Sequence, residues 1–319
     1  MSKRIAQLSL AFAITLLASN VSAQQKPVRI LVGLAPGGGV DSMARIFADK
    51  LRETFGQPFI VENRAGASGL IAMDALRAAP ADGMVLLFAP NGGITLIPQT
   101  FRNPRFDPFK DVVPVAMVGT NDVVVVANAN VKATSISEFV ALAKTDPGVR
   151  NFGAASGTIL HLGGVMFGEA AGIEIVHVPY KGAGQVIADV LGGVVGASVV
   201  TSAEAVHNQR AGKLRILASF SPKRSALLPD VPTLTESGYP VVIGSWYGFY
   251  ARAETPPEVI DRLGRAMVAA ARAPETRERL LQAGVEPVGR MSGEVLEIMR
   301  SDYANWSRAI RIAKLPLQD

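Results

Sequence analysis

The sequence predicts an α/β protein with two lobes, each built on a mostly parallel sheet. Apolar runs long enough for strands alternate with amphipathic helical runs along most of the chain, which is typical of parallel sheets covered by helices. A turn of small residues that leads from a strand into a helix occurs at residues 36–39 and again at residues 156–158. Two strands, around Val123 and Phe249, lie where the chain would cross between the lobes.

The first residues have the pattern of a secretory signal peptide. Lys3 and Arg4 precede an uncharged apolar run over residues 5–18, and Val21-Ser22-Ala23 is a small-residue cleavage pattern. The apolar run is too short to span a bilayer comfortably. We therefore expect residues 1–23 to be a signal peptide that is cleaved after Ala23, which places the mature protein in the periplasm; an uncleaved anchor is the alternative.

Composition excludes several kinds of chemistry. The 319-residue chain has no cysteine, so disulfides, thiolate metal sites and cysteine nucleophiles are excluded. Its three histidines, His161, His177 and His207, are scattered, so we predict no metal site and no cofactor. Loss of Lys3 and Arg4 lowers the formal net charge from +5 to +3, and without a basic run there is no sign of a nucleic-acid partner.

The clearest strand–turn–helix unit lies near the start of the mature chain. An apolar run over residues 28–34 predicts a buried strand, and Pro36 with Gly37, Gly38 and Gly39 ends it before an amphipathic helical run. N–H groups at such a helix N-terminus attract anions, and glycines let a ligand approach closely. The alternative is that the glycines only make a tight turn. No Gly-Lys-Ser/Thr follows, so the turn is not a P-loop.

The remaining elements follow in order. Predicted strands are residues 59–62, 85–89, 112–118, 122–127, 173–178, 194–200, 214–220 and 244–250, with a short one near residue 151. Predicted helices are residues 70–79, 135–144, 159–171, 185–191, 203–211, 233–237, 258–271, 274–283 and 292–312. Ser135, three residues before Glu138, completes a capping box. We assign residues 24–125 and 248–319 to the first lobe and residues 126–247 to the second.

Each candidate side chain in the two turns has a structural alternative. Asp41 either contacts a ligand, or caps its own helix and pairs with Arg45 four residues later. Ser156 and Thr158 either donate hydroxyl hydrogen bonds to a carboxylate, or one of them only caps the next helix. His161 lies one helical turn further on, and it either lines the cleft or packs structurally.

Polar residues also follow several strands, at the edge where α/β sheets bind ligands. Asn91 lies in the glycine loop after the strand at residues 85–89, and Thr201 follows the strand at residues 194–200. Tyr180 offers a hydroxyl and a ring, whereas Lys181 either neutralises an anion or is solvated. Gly153-Ala-Ala-Ser-Gly157 lacks the Gly-x-Ser-x-Gly spacing of a hydrolase, and no general base can be assigned, so no catalysis is predicted.

Several short motifs occur in a fixed order along the mature chain. They are Ala35-Pro-Gly-Gly-Gly-Val-Asp41, Glu62-Asn-Arg-Ala-Gly-Ala-Ser-Gly69, Phe152-Gly-Ala-Ala-Ser-Gly157, Val178-Pro-Tyr-Lys-Gly182, Pro229-Asp-Val-Pro-Thr233 and Ser245-Trp-Tyr-Gly248. Together they resemble the periplasmic solute-binding proteins of tripartite tricarboxylate transporters, the Bug family. The resemblance covers essentially the whole mature chain.

This resemblance implies a hinged, two-lobed type II periplasmic-binding (Venus flytrap) fold that captures a small carboxylate, such as a di- or tricarboxylate, an amino acid or an aromatic acid. The expected partners are the membrane permease subunits of a tripartite transporter, and a monomer is expected. A sensor subunit of a signalling system and, less favoured, an α/β hydrolase are the alternatives. The implied ligand-binding residues are Pro36, Gly37, Gly38, Gly39, Asp41, Asn91, Ser156, Gly157, Thr158, His161, Tyr180 and Thr201. We expect backbone N–H groups to hold the anion, because no Arg or Lys lies in the two turns.

Overall fold

The computed structural model describes residues 26–180 and 183–318. The predicted signal peptide and Lys181 lie outside these ranges. Within them the chain forms two separate sheets, each flanked by helices, so the predicted two-lobed α/β class is confirmed.

The elements are numbered in chain order. The strands are β1 (Val28–Val32), β2 (Phe59–Asn63), β3 (Val85–Pro90), β4 (Val112–Asn121), β5 (Val123–Asn128), β6 (Asn151–Ala155), β7 (Val176–Tyr180), β8 (Ala197–Thr201), β9 (Leu214–Ser219), β10 (Ser245–Arg252) and β11 (Glu286–Met291). The helices are α1 (Gly39–Phe55), α2 (Leu70–Arg77), α3 (Ile136–Thr145), α4 (Ile159–Ala171), α5 (Ala183–Leu191), α6 (Ser202–Arg210), α7 (Pro257–Arg272), α8 (Pro274–Gln282) and α9 (Ser292–Ile312). Among the described residues, no helix is both long and apolar enough to cross a membrane.

The first sheet has the order β11-β4-β10-β3-β1-β2 and the second has the order β7-β6-β8-β5-β9. Strand β1 pairs in parallel with β2 and β3, and β6 pairs in parallel with β7 and β8. Strands β10 and β5 are inserted antiparallel to both of their neighbours. The reason is that each of them enters its sheet from the other lobe and so starts at the edge where the parallel strands end.

Packing of apolar side chains on both faces holds each sheet. In the first lobe, Phe47 of α1 packs edge-to-face on Phe249 of β10, with ring centroids 5.5 Å apart. Phe249 in turn packs on Phe88 of β3 with ring centroids 4.8 Å apart. In the second lobe, the core lies between α4 and the sheet, and it includes the fully buried Phe167 and Phe220.

The last helix, which the sequence analysis places with residues 248–319 in the first lobe, packs in both cores. Val295 and Met299 of α9 lie in the core of the first lobe, but Trp306 and Ala309 lie in the core of the second lobe. A helix of 21 residues is about 30 Å long, so one apolar stripe can reach both cores. Helix α9 therefore ties the lobes together.

Three local features differ from the sequence interpretation. Strand β11 was not predicted, because it is a short, partly exposed edge strand that contains Pro287 and a register shift. The loop after β3 instead forms two short helical turns, Gly92–Leu96 and Ile97–Thr100. Thr233 forms an isolated β-bridge with Ser219, and residues 234–238 form turns, in place of the helix predicted over residues 233–237.

Candidate functional site

The first glycine turn faces open space at the carboxyl end of β1. A Cβ atom placed on Gly37 or Gly39 would meet no atom within 4 Å, and one placed on Gly38 would meet only the carbonyl oxygen of Ala35, at 3.7 Å. By contrast, a Cβ on Gly33 would lie 2.8 Å from the Cα atom of Gly69. Gly33 is therefore a packing glycine, whereas the glycines of the turn leave room for a ligand. Pro36 is exposed beside them.

Asp41 binds the first glycine turn from the interior of the protein. Its side chain is 4% exposed, and it accepts hydrogen bonds from the Gly37 N–H at 2.9 Å, from Arg45 Nε at 3.0 Å and from Asn63 Nδ2 at 3.0 Å. Arg45, together with the Gly37 N–H and the Asn63 amide, lowers the pKa of Asp41 to about 2. The carboxylate of Asp41 therefore points into the protein and pairs with Arg45, whereas the N-cap of α1 is Gly38, which has no side chain to cap the helix.

Helix α1 supplies donors at the turn. Its first intrahelical hydrogen bond runs from the Ser42 N–H to the Gly38 carbonyl, at 2.9 Å. The N–H groups of Gly39, Val40 and Asp41 precede that bond and have no intrahelical acceptor. The N-cap residue Gly38 has no side chain to satisfy them. These N–H groups are the kind of donors that bind a carboxylate.

A strained loop closes one side of the first turn. Ala67 has φ +46° and Ser68 has φ +55°, between Gly66 and Gly69, which also have positive φ. Adjacent non-glycine residues in the left-handed region are costly and tend to occur at functional sites. The close approach of Gly69 to Gly33 places Ser68 beside the end of β1. The loop belongs to the motif Glu62-Asn-Arg-Ala-Gly-Ala-Ser-Gly69, none of whose residues is among the candidate site residues of the sequence analysis.

Internal hydrogen bonds fix the second turn, residues 156–158, between β6 and α4. Thr158 is the N-cap of α4, and its hydroxyl donates to the Ala155 carbonyl at 2.7 Å and accepts from the His161 N–H at 3.4 Å. The Gly157 N–H donates to Nδ1 of His161 at 3.2 Å. Ser156 is exposed at the tip of the turn. Of these side chains, Ser156 is the one best placed to reach a ligand.

His161 is buried under the second turn. It is 6% exposed, and its ring stacks on that of His177 with centroids 3.8 Å apart. Burial and the neighbouring His177 lower the pKa of His161 to about 4, so the ring is neutral at pH 7. Because Nδ1 accepts a hydrogen bond from Gly157, the proton of neutral His161 is on Nε2.

Two other candidates make polar contacts inside the second lobe. The Tyr180 hydroxyl donates to Oδ2 of Asp189 at 2.6 Å, and burial, together with Asp189, raises the pKa of Tyr180 to about 12. Thr201 is the N-cap of α6 in a capping box with Glu204, whose carboxylate accepts from the Thr201 N–H at 2.9 Å. Both residues lie at strand ends as predicted, but these contacts direct their polar atoms to neighbouring helices.

Asn91 belongs to a buried network that joins β3, β10 and α9. Its Nδ2 atom donates to the Gly244 carbonyl and to Oδ2 of Asp302, each at 2.9 Å. Its Oδ1 atom accepts from the Trp246 N–H at 3.3 Å, and the Trp246 indole also donates to Asp302, at 2.9 Å. Burial raises the pKa of Asp302. This network was missed in the sequence, because it joins residues up to 211 positions apart.

The two lobes meet beside these turns. A Cβ on Gly92, just after Asn91, would lie 3.2 Å from Cγ2 of Ile159 at the start of α4. A Cβ on Gly157 would lie 3.8 Å from Cδ2 of Leu315, which follows α9. The loop after β3 and the second turn are therefore neighbours across the cleft. No group of three His, Asp or Glu side chains that could hold a metal ion occurs within residues 26–180 and 183–318.

Comparison with known proteins gives a consistent picture. The family model described as tripartite tricarboxylate transporter family receptor matches residues 43–315. The protein BugT of Bordetella pertussis is 33% identical, covering 98% of this chain and 97% of BugT. The solved periplasmic binding protein BugD is 29% identical with a TM-score of 0.73, covering 92% of this chain and 99% of BugD.

Two further solved structures contain ligands. An R. palustris protein with adipate is 27% identical with a TM-score of 0.76, covering 92% of this chain and 99% of that protein. MatC from Rhodopseudomonas palustris with bound malate is 25% identical with a TM-score of 0.72, covering 89% of this chain and 98% of MatC. These neighbours are binding proteins rather than enzymes, so the hydrolase alternative is set aside. The match over residues 43–315 and the similarity to BugT show that this chain is a periplasmic solute-binding protein of the tripartite tricarboxylate transporter receptor family.

Proposed function

We propose that the chain captures a small carboxylate between its lobes and presents it to the membrane permease subunits of a tripartite transporter. The observation that carries this proposal is the first glycine turn. It combines unpaired N–H groups at the start of a 17-residue helix with open space where Cβ atoms would otherwise stand. Surface turns elsewhere, such as those at Gly56 and Gly212, leave similar space, so the proposal rests on the combination of that space with the N–H groups of a helix N-terminus.

The chemistry of this turn fits an anion. A helix N-terminus carries roughly half a positive charge, and the N–H groups of Gly39 and Val40 point outward from it. Arg45 is paired with Asp41 at 3.0 Å, so its charge is already compensated. Neutral donors avoid the cost of burying a free cation, and they also allow release when the lobes open.

We propose a division of roles among the predicted site residues. The backbone of Pro36, Gly37, Gly38 and Gly39 and the tip of the second turn contact the ligand, with the Ser156 hydroxyl as a side-chain donor. The other predicted residues hold the cleft in shape through the internal hydrogen bonds described above; they are Asp41, Asn91, Gly157, Thr158, His161, Tyr180 and Thr201.

The relatives support this choice of ligand class, since adipate and malate are both small dicarboxylates. We further propose that the signal peptide is cleaved after Ala23 and that the mature protein acts as a monomer. Lobe closure would bend the segments that join β4 to β5 and β9 to β10, because at these segments the described strands pass from one sheet to the other.

Calorimetric titration of the purified mature protein with a panel of mono-, di- and tricarboxylates tests capture, and native mass spectrometry identifies what co-purifies. We expect at least one carboxylate to bind with 1:1 stoichiometry and without turnover. Methyl esters of the same acids are the matched controls and should bind at least tenfold more weakly, because esterification removes the charge. Equal affinity for acid and ester would contradict the proposal.

A further inference from the structure

A small apolar cavity lies directly behind the first glycine turn. Its volume is about 40 Å³, well above the roughly 10–15 Å³ that one water molecule requires. Leu34 and Val40 line it on either side of the turn, and Met73 and Gly93 line it from α2 and from the helical turn after β3. The cavity therefore adjoins the N–H groups that we assign to the ligand carboxylate.

The lining of this cavity does not suit water. Ser68 contributes the only side-chain hydroxyl among the residues that line it, and none of those residues is charged. A buried water usually needs two to four polar partners. The side chain of Leu34 lines the cavity and is also 44% exposed. The apolar surface of the cavity therefore extends along Leu34 toward the cleft. An apolar group is the occupant that these surroundings favour.

We infer that this protein prefers carboxylates whose carbon atoms next to the anchored carboxyl group carry hydrogen rather than hydroxyl groups. This inference rests on the proposed function, because it uses the first turn as the carboxylate anchor. The carboxylate meets the N–H groups of Gly39 and Val40, and the adjoining methylene groups or ring edge enter the cavity between Val40 and Met73. A hydroxyl on those carbon atoms would lose its water without gaining enough partners.

The loop at residues 66–69 contributes to this preference. Ser68 is held in a left-handed conformation with φ +55° beside Gly69, whose Cα atom would contact a Cβ on Gly33 at 2.8 Å. The two glycines thus let the loop lie close against the end of β1. The part of the cavity wall formed by Gly33, Ser68 and Gly69 is therefore set by backbone geometry, which a ligand cannot readily displace.

Two matched pairs of acids test the inference by calorimetry. Hexanoate and gluconate are both six-carbon monocarboxylates, and adipate and galactarate are both six-carbon dicarboxylates; in each pair, only the second acid carries hydroxyls. We expect the unsubstituted acid to bind at least tenfold more tightly than its hydroxylated partner in every pair for which binding is detected. If gluconate or galactarate binds as tightly as its partner, the inference is wrong while the proposed function stands. If no carboxylate of the full panel binds, the proposed function fails and takes the inference with it.

Gly93→Ala tests the cavity itself. The added methyl would meet Met73 Cε at 3.7 Å, which is ordinary contact, and it would occupy part of the cavity. The matched control is Gly293→Ala, in an exposed helical position of α9 where a Cβ meets nothing within 4 Å. One buried methylene corresponds to about fourfold in affinity. Gly93→Ala should therefore lower the affinity for the unsubstituted acid about fourfold and reduce the ratio of its affinity to that of the hydroxylated acid. Gly293→Ala should change neither. Unchanged selectivity in a folded Gly93→Ala variant would show that the cavity is only a packing gap.

Discussion

The side-chain amide of Asn91 donates a hydrogen bond of 2.9 Å to Oδ2 of Asp302. This contact connects the loop after β3, at the edge of the cleft, to the helix whose other half packs in the second lobe. Trp246 Nε1 donates to the same oxygen at 2.9 Å. One carboxylate oxygen of α9 therefore binds both β10 and the loop after β3. Its effect on stability can be measured.

Asp302→Ala should destabilise the protein by about 1–3 kcal/mol, because it leaves the buried donors of Asn91 and Trp246 without their acceptor. Asp302→Asn should cost less, since its amide oxygen can accept from both. The pKa of Asp302 is raised by burial, so in the wild-type protein this carboxyl group disfavours the folded state increasingly as the pH rises through that pKa. The stability of Asp302→Asn relative to wild type should therefore improve from pH 4 to pH 7 in urea denaturation, and a pH-independent difference would contradict this account.

Asp41→Asn should lower the free energy of unfolding by about 1.5–3 kcal/mol at pH 7, because Arg45 and the Gly37 N–H lose a charged acceptor. The pKa of Asp41 is lowered to about 2, so in the wild-type protein this stabilisation is complete above the ordinary carboxyl range and disappears as the pH falls toward 2. The difference between the two proteins should shrink over that interval. Asp49→Asn on the same helix is the control, since the 3.8 Å contact of Asp49 with Arg279 is exposed and contributes little.

Gly38→Val should abolish carboxylate binding while leaving the melting temperature nearly unchanged. Gly38 has φ −80° and ψ 171°, a conformation that valine adopts readily, so the substitution adds bulk where the ligand would lie without straining the backbone. Calorimetric titration checks this expectation, and Gly293→Val serves as a remote control for the glycine-to-valine change. Undiminished affinity in Gly38→Val would rule out the first turn as the anchor.

Ser156→Ala should weaken carboxylate binding about fivefold to tenfold, which corresponds to the loss of one hydrogen bond of about 1–1.5 kcal/mol. Thr158→Ser should bind normally, because it keeps the hydroxyl that caps α4. Lys181→Met should reduce affinity less than Ser156→Ala, since we assign the anion to neutral donors. If Lys181→Met destroyed binding of every acid while Ser156→Ala had no effect, a lysine side chain would be the anchor instead.

Local chemistry in the sequence determined much of this protein. Alternation of apolar strands and amphipathic helices predicted the α/β class, and three consecutive glycines between an apolar run and an amphipathic run predicted the turn before α1. Ser135 was recognised as an N-cap, and the Glu138 N–H does donate to its hydroxyl at 3.2 Å. The Glu138 carboxylate also accepts from the N–H and from the hydroxyl of Thr134. Such features depend on residues within a few positions of each other.

Only the tertiary structure decided what the polar side chains at the strand ends do. Asn91, Tyr180 and Thr201 were all predicted at the cleft from their position after strands, yet the amide of Asn91 binds Asp302 and the hydroxyl of Tyr180 binds Asp189. The apolar stripe of α9 likewise gave no sign that Trp306 would be buried in the second lobe. A strand end brings a side chain to the edge of a sheet, but whether that side chain meets ligand or protein depends on which distant helix packs beside it, and that is set by the arrangement of the whole core.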